Sequence, residues 1–565
     1  MQPRLFVALV GVAAILFGLT QVDGVTQTRL ANGASDTTVA GRTLITGEVR
    51  SDTTLPFLVG ADKTSLAPSP QSYQPNGESR TDESQPEAHW ETDPGKCNLR
   101  SEDARVYPTL DPNEPHAGLF PDSALGWPHN PDCIYLGGFG IGPTRASTGV
   151  DQEYGIWVRS LAISNGKDTV LFQVVDTVGY FYRYRPDVCD ECGIKDMREK
   201  IASEVGIPAH NVTIASTHTH GGADTYGGWG GVPKWYWHQM RDSIVASGIR
   251  AVDNVQPASL SAGNFDARTF GSERRDFYYS NPDYWSHWLQ AANPEGKTIA
   301  TLINHAAHPT ITGSRNTLLH ADWPGALNKE LETRLGGVAL TIEGGLGNMS
   351  ATGGLANMST TFADVLTREM GRVSTPVTDN TIKAAERVIE HPVTNWGEFG
   401  IAAIGGFDRE FTPESEGATG PRPYPDVREE SGPVQDVAGS PNEAPGLVRS
   451  CVSAGPVGVK TPVTAYNVGG VRFFTGPGEL FSTLTEVVKA ETRGSVETFV
   501  FGNANDALGY IIQSFEFDEL TNVATHYGTD AAGSPTAEYE EVFALDRCFG
   551  DHVLDAMLDL RGKVR

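Results

Sequence analysis

The chain has 565 residues, 39% hydrophobic and 20% charged, a balance that fits a globular protein and excludes a disordered or membrane-embedded one. Its formal net charge of -27, with no cluster of Lys and Arg, argues against phosphate-backbone binding, so no nucleic-acid partner is expected. The length allows one large catalytic domain or two to three ordinary ones, and the acidity is that of a solvated surface.

Arg4 followed by the apolar run Leu5–Leu19 reads as a secretory signal peptide over residues 1–24, too short for a comfortable membrane span. A secreted protein is expected; an uncleaved anchor is the alternative. Six cysteines (Cys97, Cys133, Cys189, Cys192, Cys451, Cys548) are an even number in an exported chain, so disulfides are the default. The pair in "VCDEC", Cys189 and Cys192, reads as a local disulfide closing a loop. No second CxxC accompanies it, and the segment does not open a helix after a thioredoxin-like strand. Residues 25–96 are poor in large apolar side chains and read as a disordered polar leader. The globular domain then spans 97–565, with clear patterning from Cys133 onward.

Strands are expected on both sides of the turn Asn165-Gly166-Lys167. "IKDMREKIASEVG" is an amphipathic helix stopped by Gly206, and "NVTIAS" is a buried strand running into His218. The aromatic stretch "YGGWGGVPKWYWHQM" reads as a packed lid edge or as an apolar substrate wall. "KTIATLINHAA" is a strand ending at His308, "WPGALNKELETRLG" a helix, and "VALTIEGG" the strand after it. Thr378–Ile389 reads as helical. Residues 412–446 form a Pro/Gly/acid-rich insertion without periodicity. Then come "VTAYNVGGVRFFTGPGELF", a helix over about Ser482–Ala490, the strand "ETFVFGNAND" and a closing helix, "DHVLDAMLDLRG". Alternating helices and apolar strands predict an α/β fold: a single large catalytic domain with a mixed buried sheet flanked by helices. In such sheets chemistry sits where strands end.

The histidines lie there. His218 and His220 are two apart at a strand end, so extended geometry would project both to one side, and convergent neutral imidazoles suit zinc. His305, His308 and His320 fall within 16 residues. His305 and His308, three apart, cannot both face one way along a strand; His308, next to the loop, is the better ligand candidate.

"NVTIASTHTHGG", followed about ninety residues later by "INHAAHPT…LHADWPGALNKELETRLGGVALTIEGGLGNMS", resembles the catalytic domain of the neutral/alkaline, non-lysosomal ceramidase family, in its bacterial ceramidase-like branch. "GGFGIGPTRASTGVDQEYGIWVRSLAI", "FFTGPGELFSTL", "NANDALGYI" and "AEYEE" match further family segments in the same order, from Cys133 to Glu541. The resemblance implies zinc held by His218, His308, Glu479 and Tyr510, two histidines, a glutamate and a tyrosine being a sensible catalytic set. It implies His220 beside the metal, an arginine at Arg274 or Arg275, Tyr539 near the substrate, and Ser350 at the position of the proposed nucleophile. The implied activity is zinc-dependent hydrolysis of an amide bond in a ceramide-like or other N-acylated lipid, with at most transient contact with a membrane surface. The family's GD-x-S-P turn here reads Gly347-Asn348-Met349-Ser350-Ala351, and Ala507 replaces a family tyrosine. A C-terminal β-sandwich is expected to be lacking. A non-catalytic zinc protein and a metal-independent serine hydrolase using Ser350 are the alternatives.

One stretch repeats itself: GGLGNMS at 344–350 and GGLANMS at 353–359. The first copy falls at the family's catalytic turn, the second reads as loop. Asn348 and Asn357 both form N-x-S acceptors, and Asn348 is expected to be unmodified because a glycan would crowd the site.

Overall fold

The computed structural model describes residues 57–71, 88–98, 129–140, 142–275, 281–395, 407–413, 457–517 and 539–565. The expected signal peptide, and the expected insertion beyond Pro413, lie outside these residues.

The largest sheet contains β1 (Phe57–Ser65), β2 (Trp157–Ser164), β3 (Thr169–Val175), β4 (Val212–Ser216), β5 (Gln256–Asp266), β6 (Trp285–Ala292), β7 (Thr298–His305) and β8 (Val338–Glu343), in the order β8-β7-β6-β5-β1-β2-β3-β4. Thr375–Val377 adds a ninth strand against β5. The sheet is mixed: β3–β4 and β7–β8 pair in parallel and the remaining neighbours antiparallel. The sheet curls, so that β8 also contacts β2, β3 and β4. Helices α1 (Ile194–Val205) and α2 (Lys234–Asp253) pack together and, with α3 (Asp322–Leu335) and α4 (Phe362–Arg372), against its strands. A second sheet orders β9 (Ile382–Val393), β10 (Val457–Val468), β11 (Val471–Thr475) and β12 (Glu497–Phe501). Helix α5 (Ser482–Glu491) joins the parallel pair β11–β12, and α6 (Phe549–Lys563) packs on β9 and β10.

An aromatic cluster locks the two sheets together. Phe172 of β3 lies 4.8 Å from the Phe473 ring, 5.3 Å from Tyr466 and 5.8 Å from Phe501, all on the second sheet. Each ring is essentially solvent-free, and burial of a side chain this size contributes roughly 1.5–3 kcal/mol. This contact fixes the loops at the end of one sheet relative to those of the other.

Three expectations need correction. Phe57–Ser65 lies in the middle of the large sheet, paired with both β2 and β5. The disordered leader over 25–96 therefore does not extend through these residues. Only nine residues of weak alternation mark this strand, inside a polar sequence; its long-range pairing decides its state. The segment read as helix, Thr378–Ile389, is strand from Ile382 onward, paired with β10 along all twelve residues. Ala, Glu, Lys and Arg favour helix intrinsically, but pairing at the sheet edge overrides that preference. The second stutter is not loop: Gly354–Ala356 opens a helical turn that passes through a π-turn, Asn357–Thr361, into α4.

Other readings hold. Gly206 ends α1 in the left-handed conformation with its N–H on Ala202 O, and β2 and β3 flank Gly166. Cys97–Cys133 and Cys189–Cys192 are disulfide-bonded, as is Cys548. The Cys189–Cys192 segment, however, does open a helix: Gly193 caps α1 directly after Cys192. The aromatic stretch is the loop leading into α2 and its first turns, with Tyr236 and Trp237 buried in the core.

Candidate metal centre and active site

Three side chains arrive from the carboxyl ends of three parallel-paired strands, where α/β sheets present their chemistry. His218 follows β4, His308 follows β7, and Glu479 follows β11. Backbone hydrogen bonds tie their loops together: His220 N–H donates to Pro309 O (3.1 Å), His308 N–H to Met349 O (3.0 Å), and Gly347 N–H to Leu480 O (2.8 Å). Glu479 and Tyr510 are direct partners in a short parallel pair, 479–480 against 510–511.

The convergence of His218 and His220 does not come from strand alternation. The strand ends at Ser216, and His218 has φ of +58°, a left-handed conformation that is costly for a residue of this bulk. That kink brings His220 Nε2 to 3.4 Å from His218 Nε2. Gly138 makes room: a Cβ there would stand 2.3 Å from the His220 ring, and its own φ is +95°.

The polar atoms define what the centre needs. His218 Nδ1 donates to Val178 O (2.6 Å) and His308 Nδ1 to Met349 O (3.0 Å). A carbonyl only accepts, so these bonds place a ring proton on Nδ1, which in the neutral ring leaves the lone pair on Nε2. Both lone pairs face Glu479 Oε2, at 3.3 Å from His218 and 3.0 Å from His308. Burial pushes the His308 ring down to about 4, with the Arg274 charge adding to the effect, so it is neutral at pH 7. Burial and the neighbouring His218 and His308 likewise hold His220 well below its ordinary range. For Glu479, burial raises the pKa, but the two imidazoles outweigh it and hold the carboxyl well below 4.5. Two imidazole nitrogens and a carboxylate oxygen thus meet at one spot, an arrangement that suits a cation. A tetrahedral ion with bonds of roughly 2.0–2.1 Å sets its donors about 3.3 Å apart, which is the spacing seen. His218, His308 and Glu479 are 3%, 1% and 5% exposed. His218, His220 and His308 also offer ring nitrogens within 4.8 Å of one another.

Tyr510 stands beside this group, its ring 6.3 Å from that of His308. Its hydroxyl takes a hydrogen bond from Arg274 Nη2 (2.9 Å), which also reaches Gly347 O (2.6 Å). Arg275 points elsewhere, to Glu541 (2.8 Å) and Glu516 O (3.4 Å). Of the two arginines, Arg274 is the one at the centre. Arg274–Glu540 (3.0 Å) and Arg275–Glu541 are tandem ion pairs. They clamp the short helix Tyr539–Val542 next to the site; the side chain of Tyr539 lies outside the described part of the structure. Glu540 and Glu541 lie in the "AEYEE" segment, but their pairing with Arg274 and Arg275 depends on long-range contact that no local motif marks.

The first stutter is built into the same place. Gly347 packs where a Cβ would meet Glu479 O at 2.6 Å. Ser350 forms a parallel bridge with His308. Asn348 is 1% exposed; its amide donates to Glu273 Oε2 (2.7 Å) and Ser482 Oγ (2.8 Å), and its oxygen accepts from Ser482 N–H (2.8 Å). His305 packs instead against Trp323 and Phe362, and His320 Nδ1 accepts from Asp322 N–H (2.7 Å); neither joins the centre. Arg145, in the Gly-rich opening segment, is buried and hydrogen-bonds the carbonyls of Gly137 and His220. It props the Gly-rich opening against the His220 loop.

No protein-family model matches the sequence, and no curated protein does. Solved structures do. The neutral ceramidase from Pseudomonas aeruginosa superposes with a TM-score of 0.54 at 15% identity, over 90% of this chain and 75% of that one. A ceramidase complexed with C2 gives 0.53 at 15% identity, over 90% and 76%. The α/β fold with its curled mixed sheet is therefore the fold of the neutral ceramidase structures.

Proposed function

We propose that this chain is a zinc-dependent amidohydrolase that cleaves the N-acyl amide bond of a ceramide-like or other N-acylated lipid. The observation that supports it most is the convergence of the His218 and His308 lone pairs on the Glu479 carboxylate, in a fold shared with ceramidases. His218, His308, Glu479 and Tyr510 hold the ion. Zinc there supplies Lewis acidity toward the amide carbonyl and lowers the pKa of water. Arg274 holds the Tyr510 hydroxyl and places a fixed positive charge where oxyanion charge develops. His220, kept neutral by burial and standing beside the ligands, takes a proton from the nucleophile and returns it to the departing amine. Tyr539 is the second proton donor, carried on the clamped helix. Ser350, bridged to His308, is the side chain available for acyl transfer. Export through the N-terminal signal gives a secreted enzyme. Among the described residues no helix is long and apolar enough to cross a membrane.

The test is metal analysis of the purified chain together with fatty-acid release from N-acylated amines before and after chelation. Stoichiometric zinc, with activity lost to a chelator and restored by zinc, is expected. Zinc without turnover on ceramides and N-acyl amino acids would favour a non-catalytic zinc protein. Activity that survives chelation but not Ser350→Ala would replace the metal mechanism with a serine one.

A further inference from the structure

We propose that the Cys189–Cys192 disulfide covers a second metal site: in the dithiol state Cys189, Cys192 and His238 together hold a thiophilic divalent cation such as zinc. The three offer donor atoms that all lie within 4.8 Å of one another. They come from different elements, the cysteines from the turn before α1 and His238 from the first turns of α2, so their proximity is a product of the packing of α1 on α2.

The surroundings are closely packed. Cys189 and Cys192 are 2% and 0% exposed, and His238 is half-buried at the edge. The turn is held by Cys189 N–H on Arg185 O (3.4 Å) and by Ile194 N–H on Phe181 O (3.0 Å). Trp237, the neighbour of His238, lies 4.6 Å from the Tyr184 ring and 5.6 Å from Tyr180. Once the S–S bond opens, the two sulfurs and the His238 nitrogen, already within 4.8 Å of one another, can turn onto one ion. A water-soluble phosphine supplies two electrons and becomes its oxide, with one water giving the oxygen and the two protons, and the S–S bond becomes two thiols. A dithiol supplies both electrons and protons and is itself oxidised to a disulfide. Cation binding then releases both thiol protons as the thiolates form. The amide dipoles at the start of α1 favour those thiolates. Burial and the nearby Arg241 and Lys234 hold His238 below its ordinary pKa, Asp242 opposing them, so the ring keeps a lone pair for ligation. Two sulfurs and a nitrogen leave a fourth tetrahedral position for water.

The test treats the full chain with a water-soluble phosphine and titrates it with cobalt(II), then with zinc. A thiolate-to-cobalt charge-transfer band in the near ultraviolet is expected in the reduced chain and not in the oxidised one. It should persist in His218→Ala, since the proposed catalytic centre contains no sulfur, and vanish in Cys189→Ser/Cys192→Ser. His238→Gln should keep the fold, checked by circular dichroism, and lose at least about tenfold in zinc affinity. Absence of the band in the reduced chain, failure of the phosphine to open the bond in the folded protein, or unchanged affinity in His238→Gln would each overturn the proposal.

Discussion

Two buried histidine clusters in this molecule look alike in composition and differ in wiring. At the candidate metal centre, His218 and His308 each donate Nδ1–H to a backbone carbonyl, and both Nε2 lone pairs meet the Glu479 carboxylate. Near the C-terminus, His391 of β9 hydrogen-bonds Asp546 through Nε2 (2.9 Å) and the Nδ1 of His552 on α6 through its own Nδ1 (3.1 Å). Asp546 also accepts from Cys548 N–H (2.7 Å) and Thr394 Oγ1. In the second cluster each donor finds an acceptor, and the network ties α6 to β9 without help. In the first, two imidazole nitrogens converge on one carboxylate oxygen, a donor set that a cation would complete. Counting histidines would not separate the two; following each ring nitrogen to its partner does.

That contrast can be broken most directly at Glu479. Glu479→Gln removes the charge on which the lone pairs converge and should abolish stoichiometric zinc and lower amidase activity by more than about 100-fold, beyond the loss typical of an outer-shell change. Retained zinc with full activity would show that the ion, if any, sits elsewhere. Arg274→Gln leaves the ligands in place but frees Tyr510; a loss of about 10–100-fold in kcat with zinc retained is expected. Gly138→Ala should act in the same direction through the displaced His220 ring, lowering kcat while zinc stays bound.

The second cluster should answer to pH and stability, not to metal. Burial pushes His552 down to about 3, and the charges of His391 and Arg387 add to this. Unfolded, the ring titrates near 6.5. Between these values the unfolded chain binds more protons than the folded one, so stability falls as pH drops from about 6.5 toward 3, by on the order of a few kcal/mol. Asp546, raised by burial but brought down overall by His391, loses stability in the same direction at the acid end. Denaturant unfolding from pH 7 to pH 4 should show a shallower slope in His552→Gln; an identical slope would place the proton uptake in another group. Zinc content and relative activity at pH 7 should not change. The smallest effect concerns the repeated stretch: peptide mass analysis of protein expressed in cells that N-glycosylate exported chains should find Asn348 without a glycan, because its amide is buried between Glu273 and Ser482. A glycan on it would mean that the first GGLGNMS turn is not packed as described.

The sequence by itself determined the residue types at the strand ends and their order. It marked His218 and His308, the Gly-Gly turn before Ser350, and the alternation of helix and strand that makes an α/β fold, while Glu479 is reached only through the ceramidase resemblance. These signals are local: turn glycines, apolar runs and motif spacing reveal them without distant partners. Tertiary structure decided the rest. A nine-residue strand in a polar stretch became a central strand because β2 and β5 flank it. A helix-favouring segment became an edge strand because twelve partners lie along β10. The choice of Arg274 over Arg275, the clamp by Glu540 and Glu541, and the proton positions on His218 and His308 all depend on groups tens to hundreds of residues away. Metal affinity and acid–base character belong to that second class, since they are set by which carbonyl or carboxylate ends up facing each nitrogen.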